Sequence, residues 1–189
     1  MTRRSLIRGG EVTTAVDCWT GDILIEDGQI VALGAALEAD AEIHEADGLL
    51  VLPGGVDVHT HIDYDTGTAR TADTFETATR AAAFGGTTTV VDFAFQPRHS
   101  PSVAAALDDW LARAATACID VGAHMTLTTV TEATLAETRN LVRHGGVTSV
   151  KLFMAYPDTL MVDDGAILRV MRKRHEKSTA RYGRSMRHA

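Results

Sequence analysis

The feature that most constrains the fold is a fourfold alternation of short apolar, β-branched runs with longer helical segments downstream of Pro53. Strand-like runs fall at 56–58, 87–93, 120–127 and 148–153. Helical segments follow at 74–84, 102–117 and 131–144, and a fourth runs from 164 to about 172. Asp73 is the expected N-cap of the first helix, with Gly85-Gly86 as its stop; Gly145-Gly146 ends the third. Strand–helix units joined by short loops make an α/β fold with a parallel sheet. Groups that bind or react in such folds gather at the C-terminal ends of the strands.

Residues 1–52 have a different rhythm. The apolar runs Ser5-Leu6-Ile7-Arg8, Ile23-Leu24-Ile25-Glu26, Gln29-Ile30-Val31-Ala32-Leu33 and Leu49-Leu50-Val51-Leu52 are punctuated by Gly9-Gly10, Asp27-Gly28 and Asp47-Gly48. Asp-Gly between two strands predicts a hairpin, because a type I′ turn needs positive φ at both central residues. This segment reads as part of a small β-sandwich, so the chain divides into 1–52, a strand–helix region 53–171 and a tail 172–189. The tail holds seven Lys and Arg against one Glu and has no Val, Ile, Leu, Phe or Trp. Such a stretch cannot bury enough apolar surface to offset its ordering entropy. The abrupt change in mid-helix leads us to expect out-of-frame sequence after a frameshift near 172; a deliberate basic extension is the competing account.

The whole chain has 189 residues, 45% of them apolar, and a net charge of −7. That excludes disordered, collagenous and disulfide-scaffold classes. It also lacks the basic footprint of a nucleic-acid binder. No apolar run approaches the length of a membrane span, and the basic N-terminus has no apolar region after it. Cys18 and Cys118 match no metal or redox spacing. A cytoplasmic protein without membrane or nucleic-acid partners is expected. The length is also too short for a complete (β/α)8 barrel, which takes about 250 residues.

Three places carry chemistry. His59 and His61 follow the first strand of the strand–helix region, and in extended backbone i and i+2 share a face, so two imidazoles can converge on one metal. Two ordinary surface or core histidines would give the same pattern; the strand-end position beside Asp57 and Asp63 favours the metal. Lys151 lies among Val150, Leu152 and Phe153. Either its stem snorkels to the strand end, or it is neutral and reacts with CO2 to give a carbamate able to bridge two metals. Tyr156, in the following loop, is either an ordinary loop tyrosine or a phenol that donates to a developing oxyanion. Asp92, His99, His124 and His144 have no evident partner and are read as structural.

Three blocks in order, Leu52-Pro53-Gly54-Gly55-Val56-Asp57-Val58-His59-Thr60-His61, Ala83-Phe84-Gly85-Gly86-Thr87-Thr88-Thr89-Val90-Val91-Asp92-Phe93 and Val150-Lys151-Leu152-Phe153-Met154-Ala155-Tyr156, resemble the dihydropyrimidinase/D-hydantoinase branch of the cyclic amidohydrolases. The resemblance runs to about residue 171 and includes Met161-Val162-Asp163-Asp164. It implies a (β/α)8 barrel, here about four of eight units, with a β-sandwich beside it. It also implies two divalent ions, zinc by family habit, bridged by carboxylated Lys151, with His59 and His61 on one of them. A bridging hydroxide would attack a ring amide that one metal polarises, Tyr156 would hydrogen-bond the oxyanion, and the ring would open to an N-carbamoyl amino acid. The loops at 63–65 and 153–160 would shape the pocket, with Tyr64, Phe153 and Tyr156 on the substrate. Relatives commonly form homotetramers.

The sequence departs from that pattern in lacking the later histidines of the second metal and the late aspartate. His175 and His188 lie in the basic tail and are not replacements. The expectation is a truncated and inactive fragment of a hydrolase that opens dihydropyrimidines or hydantoins. Allantoinase or dihydroorotase specificity is the alternative within enzymes, and the Lys-Leu-Phe-Met-Ala-Tyr run leans away from both. A non-catalytic assembly protein on the same fold is the alternative outside them, against which His59, His61 and Lys151 are all kept.

Overall fold

Arg4–Thr13 (β1) organises the N-terminal residues, because three other strands hydrogen-bond to it. Cys18–Glu26 (β2) runs antiparallel to it, and Gln29–Gly34 (β3) runs antiparallel to β2. Glu42–Glu45 (β4) and Leu50–Val51 (β5) lie parallel to β1 on its other edge. The computed structural model describes residues 3–175, which divide into two units between Gly54 and Gly55. The first unit is thus a single five-stranded mixed sheet, the segment expected to contribute to a sandwich.

Asp27 and Gly28 have φ of 46° and 75° and close the β2–β3 hairpin as predicted. Asp47-Gly48 does not close one: it joins β4 to β5, both parallel to β1. The dipeptide fixes a turn but not which strand pairs with which, and β4, with all four residues exposed, has no apolar pattern to announce it. Gly9-Gly10, read as punctuation, lies inside β1 at a register slip. Gly9 has φ +71°, and a Cβ on Gly10 would come within 2.4 Å of Val51. The slip is held by Asp22, whose carboxylate accepts the Gly9 and Leu37 amides, both at 2.8 Å.

In the second unit Gly55–Asp57 (β6), Thr87–Phe95 (β7), Asp120–Thr126 (β8) and Val147–Lys151 (β9) form a parallel sheet in that order. Phe75–Phe84 (α1), Ala104–Ala114 (α2), Glu132–His144 (α3) and Asp164–His175 (α4) follow the strands in turn. The cap of α1 is Thr74, not Asp73: Thr74 and Thr77 make a reciprocal capping box, and Asp73 instead accepts the Thr77 hydroxyl at 2.8 Å. Thr131 and Thr134 repeat the box at α3. Arg172 to His175, assigned from sequence to the tail, continue α4, where Lys173 reaches Glu132 at 3.3 Å. Residues 176–189, which hold the rest of the expected tail, lie outside the described residues.

Strand alternation sorts the sheet into two faces. Val90, Ala94, Ala123, Met125 and Val150 join Trp110, Leu107, Leu135 and Leu141 of the helices in one apolar core. The residues between them, Phe93, His124, Ser149 and Lys151, point to the other face; Phe93, His124 and Ser149 are paired in register, and so are Phe95, Thr126 and Lys151. Among the described residues no helix is long and apolar enough to cross a membrane.

The two amides on Asp22 hold its carboxyl below the usual aspartate range, the Gly9 contact contributing most. A depressed folded value means that its stabilisation is complete above the ordinary value and lost as pH falls toward the folded one. Asp22→Asn is therefore expected to flatten the acid limb of unfolding in that window, measured as denaturation midpoint against pH. An unchanged acid limb would show that the slip is held without the carboxylate.

Candidate metal centre

β6 is only three residues long, so His59-Thr60-His61 lies just past its end and needs other anchors. Asp57 provides one, accepting the His59 amide at 3.0 Å. The Thr60 amide donates to the Val91 carbonyl at 3.2 Å. The third is Asp92, 2% exposed, on the helix-facing side of β7. Its carboxylate accepts the Ile62 amide at 3.2 Å, the Trp110 Nε1 at 2.9 Å and the Thr60 hydroxyl at 3.4 Å. Burial pushes Asp92 above the ordinary aspartate range, while the Trp110, Ile62 and Phe93 hydrogen bonds and His61 pull it back. Sequence reading names no partner for this residue because its partners come from two separate places, the segment past β6 and α2; its one local signal is an acid inside the buried run Thr-Val-Val-Asp-Phe.

The two histidines meet over Phe93. Their ring centroids are 5.4 Å apart at 71°, and the Phe93 ring lies 4.7 Å from His59 and 4.9 Å from His61, stacked on the latter. Desolvation lowers the His61 pKa most; His59 and Lys151 lower it further, against an upward pull from Asp92. A neutral imidazole is the form that ligates metals. Lys151 is the last residue of β9, not its middle, and its Nζ lies 5.9 Å from the Phe93 centroid and 5.0 Å from that of Phe153. All three expected ligands thus surround one ring.

The substrate candidates extend from this cluster as a chain of rings. Tyr64 lies 5.5 Å from His61 and stacks on Phe95 at 4.5 Å; Phe95 is 6.4 Å from Phe153, and Phe153 is 5.8 Å from Tyr156. Burial raises the Tyr64 pKa, with Asp65 adding to it, so its phenol stays protonated. Tyr156 is exposed and has φ of 64°, a left-handed conformation uncommon for a bulky side chain. Its carbonyl accepts the Leu160 and Met161 amides, both at 3.1 Å, which close the turn.

The donor set fits one divalent ion in part. Two imidazoles converge, and a carbamate on Lys151 would add an oxygen. Thr126, register partner of Lys151, has a fully buried hydroxyl without a hydrogen-bond partner among the described residues, which suits a further polar group on this face. Asp57 and Asp63 are otherwise engaged: Asp63 binds Arg70 at 2.6 Å. No group of three His, Cys, Asp or Glu suited to a metal occurs among the described residues. His99 and His144 lie in the loop after β7 and at the end of α3, with no ring contact to the cluster. His124 does touch it, 4.9 Å from Phe93.

Asp92→Ala would leave the Trp110 and Ile62 N–H groups without their acceptor, at about 1–3 kcal/mol for each orphaned donor. Urea unfolding should show that loss, with a smaller one for Thr60→Val. A change in Asp92→Ala within about 0.5 kcal/mol, the range of a neutral surface substitution, would mean that the carboxylate does not fasten the histidine segment.

Residues 50–179 match the amidohydrolase family. The chain is 49% identical to a D-hydantoinase of Streptomyces coelicolor over 183 residues, which are 93% of this chain and 39% of that one. A D-hydantoinase of Geobacillus stearothermophilus is 42% identical over 88% of this chain and 36% of its own. The structure resembles a crystal structure of dihydropyrimidinase from Brevibacillus agri with a TM-score of 0.86, 40% identity, and coverage of 92% of this chain and 38% of the other. The chain thus spans under two fifths of the length of these relatives. The match over residues 50–179, with these relatives, places the chain in the amidohydrolase family, in the branch that holds the D-hydantoinases and dihydropyrimidinases.

Proposed function

We propose that this chain provides the first metal-binding half of a hydrolase that opens cyclic amides, dihydropyrimidines or hydantoins, to N-carbamoyl amino acids. The observation that carries this is the gathering of His59, His61 and Lys151 around Phe93. His59 and His61 would hold one divalent ion, zinc by preference, through ring nitrogens. Lys151, as a carbamate, would complete that set and would also serve a second ion, whose remaining ligands are not among these residues. Bound metal supplies Lewis acidity toward an amide carbonyl and acidifies water. Tyr156 donates its phenol proton in a hydrogen bond to the carbonyl oxygen as that oxygen gains charge. Tyr64, Phe95 and Phe153 form an apolar wall against which a flat ring packs. We take the cytoplasm as its compartment. We take a homotetramer as the assembly, following the family.

On this reading the 189-residue chain binds metal but turns over no substrate alone, because its histidines and lysine make one shell and not two. Equilibrium dialysis with zinc and 13C-bicarbonate tests it. Zinc should bind with a 13C-labelled lysine visible by NMR; Lys151→Ala should lose the label, and His59→Ala and His61→Ala should lose the zinc. Failure of the wild-type chain to retain zinc would overturn the metal assignment. Opening of dihydrouracil or hydantoin at the rate of a full-length relative would overturn the claim that the chain is silent alone.

A further inference from the structure

The ligand candidates sit on the two outermost strands of the sheet, His59 and His61 beyond β6 and Lys151 on β9. β7 and β8 set most of that spacing through their ladders, but the histidine segment runs past the last β6–β7 pair, Asp57 with Val90, and its place relative to Lys151 also depends on side chains that reach both ends on the inner face. One side chain does. His124, on β8, places Nε2 2.8 Å from the Val58 carbonyl, one residue before His59. Its Nδ1 hydrogen-bonds the hydroxyl of Ser149, two residues before Lys151, with the Thr148 hydroxyl at 3.3 Å. A carbonyl oxygen only accepts, so Nε2 carries a proton toward Val58, while a hydroxyl can serve Nδ1 as either donor or acceptor. The ring also packs on Phe93, the floor of the cluster.

We propose that His124 is a positioning residue: hydrogen-bonded through Nε2 to the Val58 carbonyl and through Nδ1 to the Ser149 hydroxyl, it steadies the gap between the histidine-bearing and lysine-bearing strand ends. The inference rests on the metal reading above for its purpose but not for its geometry. It binds no substrate and no metal. Its effect is to hold two edge strands at the spacing that a shared site requires, as groups behind metal ligands do when they orient them.

The test uses the 189-residue chain with His124→Phe, which keeps a ring against Phe93 but cannot hydrogen-bond, and Ser149→Ala, which removes one anchor alone. His124→Gln, able to donate and accept, serves as the conservative variant. Zinc affinity is read by competition with a chromophoric chelator, and backbone amide shifts of 58–61 and 149–151 by NMR of metal-free protein. The expected result is a loss of affinity of about 10- to 100-fold in His124→Phe, less in Ser149→Ala, and partial rescue in His124→Gln. The amide shifts of both segments should move together in the metal-free variants, and 15N shifts of the wild-type ring should show a protonated Nε2. If wild-type protein binds no zinc while both segments move, the metal reading fails and the positioning role stands. If both segments and the zinc affinity stay at wild-type values in His124→Phe, the positioning role is overturned. Should that variant not fold, Ser149→Ala decides by the same two readouts.

Discussion

A buried carboxylate without a cation is costly, and this fold keeps one at the point where its ligand segment begins. Asp92 is tolerable in the helix-facing layer because three side-chain and backbone donors from two separate places converge on it: the indole of Trp110 on α2, and the amide of Ile62 and the hydroxyl of Thr60 in the segment past β6. The arrangement works in both directions. The donors make the charge bearable, and the charge ties the segment past β6 to the strand and helix that form the centre of the core. β6 pairs with β7 through only three residues. Without the carboxylate, the histidines would hang from that short ladder, the Thr60 amide, the Asp57 cap and the His124 contact to the Val58 carbonyl.

Neighbouring positions on β7 therefore do opposite work. Asp92 faces the helices and fastens the loop; Phe93 faces inward and receives the rings that the loop delivers. The same one-residue step separates Ala123 from His124 and Val150 from Lys151. A slip of one residue in any of these ladders would exchange the faces, sending apolar groups to the site and charged ones into the core, so the burial that stabilises the sheet also specifies which residues meet at the strand ends.

Much of this was legible beforehand, for reasons that differ from residue to residue. The strand–helix alternation, the Asp27-Gly28 turn and the Gly85 and Gly145 stops are local, written within a few residues of where they act. His59 and His61 stand out as an i, i+2 pair at a strand end and Lys151 as a lysine in an apolar run, and neither pattern, nor the motif order that links them, shows the ring they share. Pairing was not legible. Asp47-Gly48 was assigned a hairpin because a turn dipeptide does not reveal that the next strand will pair elsewhere, and β4 was invisible because its exposed residues have no pattern to read. Asp92 and His124 passed as ordinary residues for the same reason. Each draws its meaning from partners 18 to 66 residues away, and only the register of a parallel sheet connects them.

Register also explains why the inner face is both aromatic and polar. Phe93 and Phe95 sit in successive layers, and each is followed across the sheet by a polar residue on β8 and another on β9: His124 and Ser149 in one layer, Thr126 and Lys151 in the next. The first layer is satisfied within itself, since His124 spends one nitrogen on Ser149 and the other on Val58. The second is not, since the buried Thr126 hydroxyl has no hydrogen-bond partner among the described residues. Burying a hydroxyl in that way works against stability. The fold thus satisfies one layer and leaves a hydroxyl unused in the next, so the polar surplus of this face lies at the strand end that carries Lys151.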